Sequence, residues 1–291
     1  MRIDQILKDD GPVFSFEFFP PKTAAGRVGL VQTIDELKPL KPSFVSVTYG
    51  AMGSNRGQVI EIVSEIKNQI GIEAMAHLTC VGHTRAELVS VLDELAAEGI
   101  ENVLALRGDP PQGEAFTPTA DGFAHASDLV SLIRERGGIC IGGAAYPEVH
   151  PDAKDAATDL ANLKTKTDAG VNFLVTQLFF ANQEYFAFVA RARAMGVEVP
   201  IVPGIMPVTN LGQVKRLTEM CGASIPADLL DKLEAAGADD GAVLEVGVQH
   251  AVEQCRELLA EGAPGIHFYT INKSASTREI LSRLRAEIFT P

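Results

Sequence analysis

Eight short apolar segments, each followed by a longer amphipathic stretch, predict an α/β fold: a (β/α)8 TIM barrel with extra helices between its seventh and eighth strands. Two further observations support closure over an open doubly wound sheet. The residues after the first apolar segment, PPKTAAGR, contain no GxGxxG phosphate turn. Seven of the eight segments end in a hydrogen-bonding or ionisable side chain, as expected where strand ends converge on one active face. With 291 residues, 46% hydrophobic and 22% charged, the chain suffices for a single barrel domain over 1–291.

Taken in order, the expected strands are Val13–Phe19, Phe44–Gly50, Glu73–Cys80, Asn102–Gly108, Cys140–Pro147, Phe173–Phe180, Pro200–Met206 and Gly265–Asn272. Helical spacing fills the intervals. Leu88, Leu92 and Leu95 mark one face of Arg85–Glu98, and Tyr185–Met195 reads the same way. The stretch from about Ser224 to Ala263 is surplus to the barrel and reads as two or three helices. Pro226 suits a first turn there, and Ala236–Asp240 suits a break. No linker rich in Pro, Gly and Ser divides the chain.

Charge and cysteine usage exclude several classes. A net charge of −13 opposes general affinity for nucleic acid but leaves room for a small anionic ligand held by local cations. Cys80, Cys140, Cys221 and Cys255 form no CxxC or Cys/His spacing, so neither a structural zinc nor a disulfide framework is expected. The opening MRIDQILKDDGP lacks the apolar core of a signal peptide, and no stretch resembles a membrane span. A cytoplasmic protein without membrane attachment is the expectation.

Glu17 is the sharpest candidate. Period-2 alternation sets Ser15, Glu17 and Phe19 on one face and Phe14, Phe16 and Phe18 on the other. A carboxyl amid phenylalanines should be desolvated, which raises its pKa toward that of a general acid; a carboxylate that merely salt-bridges inside the barrel is the alternative. Arg107-Gly108-Asp109 is the second signal: the two charges either pair with each other or each face a ligand. Asp159, Asn162 and Lys166 share one helix face, aimed at a common partner or simply solvated. The other strand-end groups are Thr48, Tyr49, His77, Thr79, Tyr146, Gln177, Tyr269, Asn272 and Lys273. His77 and His267, each lone in an apolar strand, read first as satisfied core residues.

FSFEFFPPK, SVTYGA, AHLTC, LALRGDPP, AAYPEVHP, DLANLKTKTDAG, TQLFF, PGIMPV and HFYTINK occur in this order from Phe14 to Arg278. In this the chain resembles the bacterial methylenetetrahydrofolate reductase family. The resemblance implies a barrel holding non-covalent FAD, with NADH or NADPH as electron donor. It implies reduction of 5,10-methylenetetrahydrofolate by a ping-pong course in one-carbon metabolism and methionine supply. Glu17 matches the family's general acid, and Asp109 a carboxylate near flavin and pterin. Thr48, His77, Arg107, Gly108, Ala126, Tyr146, His150, Asp159, Asn162 and Lys166 match flavin-contacting positions. Gln177, Tyr269 and Lys273 match positions on the folate side. The resemblance also implies a homo-oligomer, dimer or tetramer. With the sequence ending at Pro291, soon after the last barrel helix, no C-terminal regulatory domain is expected.

Two positions depart from a branch of that family: Thr165 replaces an arginine, and Leu217 a phenylalanine that stacks on bound ligands. A flavin-free reductase of the same fold and a non-catalytic folate- or flavin-binding barrel are the rival readings. A Schiff-base aldolase is disfavoured because no lysine lies within the strand cores.

Overall fold

The computed structural model describes residues 1–9, 11–49, 56–110, 116–237 and 239–288. Its strands are β1 (Val13–Phe18), β2 (Phe44–Val47), β3 (Ala74–Thr79), β4 (Asn102–Leu106), β5 (Cys140–Ala145), β6 (Phe173–Thr176), β7 (Ile201–Val202), β8 (Gly204–Ile205) and β9 (Gly265–Tyr269). All pair in parallel, in the order β7-β6-β5-β4-β3-β2-β1-β9-β8. The two ends of this sheet, β7 and β8, are one stretch of chain interrupted at Pro203, so the sheet closes on itself. The expected seventh strand is therefore split. Proline has no N–H for the ladder, and its carbonyl instead accepts from His267 N at 2.9 Å.

Every strand stops short of the C-terminal end of its apolar run, because pairing ceases where the segments turn into the loops of the upper face. Gly50, the end of the second expected strand, and Pro111 of the LALRGDPP motif fall outside the described residues.

The helices are α1 (Ile3–Ile6), α2 (Ala24–Leu37), α3 (Arg56–Glu65), α4 (Arg85–Ala97), α5 (Ala126–Arg136), α6 (Ala156–Asp168), α7 (Asn182–Ala194), α8 (Leu211–Cys221), α9 (Ala227–Ala236), α10 (Asp240–Ala260) and α11 (Ala275–Ile288). Local chemistry starts several of them. Thr84 and Glu87 form a capping box at α4, whose Leu88, Val91, Leu92 and Leu95 are buried. Asp155 caps α6 by accepting from Thr158 N at 2.8 Å. Pro226 occupies the N-cap of α9, one residue before the position its fixed φ suggested.

Three apolar clusters follow. The largest lies between strands and helices and takes the outward Phe14, Phe16 and Phe18. A second fills the barrel's lower end with Val13, Phe44, Met75, Leu104, Cys140 and Phe173, plugged by Ile3 of α1. The third joins Phe180, Met206 and Val208 to Val214, Leu229, Leu233 and Val243. The surplus helices thus carry a small core of their own over the strand ends. No helix among the described residues is long and apolar enough to cross a membrane.

Candidate active site

With the phenylalanines of β1 directed outward, Ser15 and Glu17 face the barrel axis. Register sets Glu17 beside Ser46 on one side and Tyr269 on the other, and Ser15 beside His267. Glu17 is 7% exposed. His267 Nε2 donates to its Oε2 at 3.3 Å, and the Ser15 hydroxyl meets His267 Nδ1 at 2.7 Å. His77 Nε2 stands 3.4 Å from the same carboxylate oxygen. Burial pushes the Glu17 carboxyl up, but His77, the hydrogen bond from His267 and Ser46 outweigh it and hold the group below the usual carboxylate range. This corrects the sequence expectation of a raised value: the phenylalanines belong to the outer face, so the carboxyl's neighbours are imidazoles and hydroxyls. Burial lowers His77, whose Nε2, like the Oγ1 of Thr79, is buried with no hydrogen-bond partner among the described residues.

A cleft of about 400 Å³ opens beside this cluster, over β4 and β5 and against α5 and α6. Its lining brings together Arg107, Gly108, Asp109, Ala126, Tyr146, His150, Asp159, Asn162 and Lys166. Gly108 has φ +81, and a Cβ there would lie 2.5 Å from Val81 Cγ1 and 2.8 Å from Thr79 Cβ, so only glycine fits this turn. Arg107 bonds Asp152 at 2.7 Å, approaches Asp109 at 3.8 Å and covers the Phe116 ring at 4.9 Å. Asp109 itself is 93% exposed. Lys166 donates to the Ala144 carbonyl. Burial brings its ammonium down to about 8, against a smaller opposing pull from Asp159. Asp159 Oδ2 accepts from His150 N at 3.1 Å, and the His150 and Tyr146 rings lie 4.5 Å apart. Burial pushes Tyr146 up to about 12 and lowers His150.

The remaining predicted residues ring the same face. Thr48 follows β2, its N–H donating to Phe18 O at 2.9 Å. Gln177 follows β6 and uses its own Oε1 to accept from Leu178 N at 2.8 Å. Tyr269 closes β9 and donates to Thr176 O at 2.5 Å. Burial, then Glu17 and Tyr146, hold its phenol well above the ordinary value, and the register sets it beside Glu17. Lys273 is exposed just beyond.

The family pattern described as Methylenetetrahydrofolate reductase matches residues 2–285. The chain belongs to the methylenetetrahydrofolate reductase family. It is 42% identical over 272 residues to 5,10-methylenetetrahydrofolate reductase of Escherichia coli, covering 93% of this chain and 90% of that protein. It is 41% identical over 295 residues to methylenetetrahydrofolate reductase (NADH) 1 of Arabidopsis thaliana, covering 97% of this chain and 50% of the relative. The chain thus spans about half the length of that plant protein. Among solved structures, a Clostridium thermocellum protein that binds two copies of 5-methyl-5,6,7,8-tetrahydrofolic acid superposes with a TM-score of 0.66, covering 98% of each chain at 14% identity. That likeness speaks to the fold.

Within this reductase family the two departures are local. Thr165 lines the cleft and turns its hydroxyl back to Ala161 O at 3.0 Å. Leu217 packs onto the small core above the strand ends. Sequence reasoning passed over Ser15, Ser46 and His267 as partners of Glu17. Their signal was present: Ser15 precedes Glu17 by two on one strand face, as His267 precedes Tyr269.

Proposed function

We propose that the protein reduces 5,10-methylenetetrahydrofolate to 5-methyltetrahydrofolate with NADH or NADPH as electron donor, through non-covalent FAD, the two substrates using one site in turn. The observation that carries this is the Glu17 carboxyl, buried on the axis of a family member between two imidazoles and beside a cleft lined by Arg107, Lys166 and Arg191. On this reading it works in the cytoplasm as a dimer or tetramer, supplying methyl groups for methionine.

The residues present suit a flavin dinucleotide. Arg107 and Lys166 offer positive charge to its phosphates, Arg107 after exchanging Asp152 for them. Gly108 leaves backbone room, and the partnerless His77 Nε2 and Thr79 Oγ1 await a ligand's polar edge. His77 and Thr48, beyond the cleft lining, would hold the dinucleotide's further parts. When bound, the flavin accepts hydride from nicotinamide and returns it to the folate's one-carbon unit.

The chain's own work is positioning and proton supply. Glu17 gives a proton to the folate nitrogen, opening the five-membered ring to an iminium that can receive hydride. Held ionised in the open site, the carboxyl gains its proton as folate burial removes water and strengthens desolvation. His267, joined to Ser15 behind and to Glu17 in front, holds that carboxyl in place. Asp109, Gln177, Tyr269 and Lys273 orient pterin and tail.

Purified protein should show the flavin band at about 450 nm and lose it on Lys166→Met. A colourless wild-type protein that still reduced the folate would favour direct transfer from nicotinamide. Because Lys166 titrates near 8 in the free site, FAD affinity of the apoprotein should weaken as pH rises above about 8, where the ammonium loses its charge. Fluorescence titration from pH 7 to 9.5 checks this; an equal slope in Lys166→Met would remove Lys166 as the cause.

A further inference from the structure

β1 and β9 last pair at Glu17 and Tyr269, yet the two segments remain tied well past that point. Thr270 Oγ1 donates to Glu17 O at 2.6 Å. The Asn272 amide then takes both backbone groups of Phe19: its Nδ2 donates to Phe19 O at 2.8 Å and its Oδ1 accepts from Phe19 N at 2.8 Å. Side chains here substitute for a ladder that the strand no longer supplies. The geometry is costly, because Ile271 and Asn272 both adopt left-handed φ, +49 and +54, in succession. Such strain persists where surrounding contacts enforce it and gathers at functional sites. Thr33 Oγ1 adds a bond to Asn272 O at 3.2 Å, and Asn272 N donates to Thr270 Oγ1 at the same distance.

What this clamp holds is an exposed ring. Phe19 is 43% exposed, the one aromatic among the exposed large apolar side chains of the described residues. A single surface phenylalanine ordinarily needs no explanation. This one is fixed at both backbone groups by a strained turn, followed by Pro20-Pro21, and lies two residues beyond Glu17 on the same side of the chain by alternation. Lys273, next after Asn272, brings a cation to the same turn.

We propose that Phe19 is an aromatic wall of the folate site, packing against the substrate's aminobenzoyl ring, and that Asn272 is its positioning residue. The inference rests on the folate reading above and adds a contact to it. Folate joins an aromatic amide to a carboxylate-bearing glutamate, and Phe19 followed by Lys273 matches that order of apolar ring and anion.

The test compares wild type, Phe19→Ala, Phe19→Tyr and Asn272→Gly, the last keeping left-handed freedom while removing the clamp. Phe19→Ala should raise the calorimetric Kd for 5-methyltetrahydrofolate and the KM for the folate substrate by about tenfold. Flavin content and the rate of flavin reduction by NADH should stay at wild-type values, and Phe19→Tyr should restore folate binding. Asn272→Gly should move the same two folate constants in the same direction, by less. Unchanged folate constants in Phe19→Ala, or equal losses for folate and NADH, would overturn the assignment. Wild-type protein that neither binds nor reduces the folate would instead overturn the underlying reading, and this contact with it.

Discussion

Glu17→Gln lowers folate reduction by about 10²–10⁴-fold, the range set by losing a positioned general acid, and leaves flavin content and its reduction by nicotinamide close to wild type. Glutamine preserves the size of the side chain and its acceptor toward His267, so the axis stays packed. The transferable proton disappears, together with the negative charge beside His77 and His267. A fall confined to the folate half-reaction separates proton donation from a structural role, because collapse of the axis would harm both halves. Stopped-flow measurement of each half-reaction decides it, and near-normal folate turnover in the variant would remove Glu17 from the chemistry. His267→Gln should fall in the same half-reaction by a smaller factor, since it acts on Glu17 rather than on substrate.

The barrel was legible because its signal is redundant. Period-2 alternation in β1, the leucine spacing of α4 and the lack of a glycine turn after β1 all favour one architecture. What escaped was pairwise. Ser46 and His267 reach the Glu17 carboxyl from two other strands, with Ser15 bonded behind His267, and only the register Ser15–His267 and Glu17–Ser46 brings them together. A single strand's alternation cannot reveal a neighbour more than two hundred residues away. The expected rise in the Glu17 pKa failed for that reason, since the residues adjacent in sequence are the ones alternation sends to the opposite face. The cleft shows the converse. Asp159, Asn162 and Lys166 share an α6 face that local spacing alone identifies, and they line one cavity. The split of the seventh strand at Pro203 was also local information: a proline in a central strand removes a ladder donor.

Gly204→Ala is the substitution expected to damage this closure most directly. Gly204 opens β8, at the seam where β6, β8 and β9 meet. Its N–H donates to Thr176 Oγ1 at 2.9 Å, while Tyr269 donates to the Thr176 carbonyl at 2.5 Å. A Cβ at 204 would stand 2.3 Å from that carbonyl oxygen, 2.6 Å from Tyr269 Cε2 and 2.7 Å from its hydroxyl. Neither neighbour can yield cheaply, because one is backbone in a central strand and the other is a buried ring bonded to that same carbonyl. Overpacking of this kind costs about 1–3 kcal/mol, and at this chain length each kcal/mol lowers Tm by roughly 2–4 °C. The displaced Tyr269 should also weaken folate binding, since it stands beside Glu17 in the β1–β9 register. Gly29→Ala in α2 is the control: nothing lies within 4 Å of its added carbon, and an open helical site gains up to about 1 kcal/mol from alanine. Calorimetry of the two variants should therefore give shifts of opposite sign. A Gly204→Ala protein melting with wild type would mean that the seam can spread, and that barrel closure at Pro203 does not depend on this contact. Tyr269→Phe combined with Gly204→Ala should lose less than the sum of the two, because removing the hydroxyl frees the ring to turn away from residue 204.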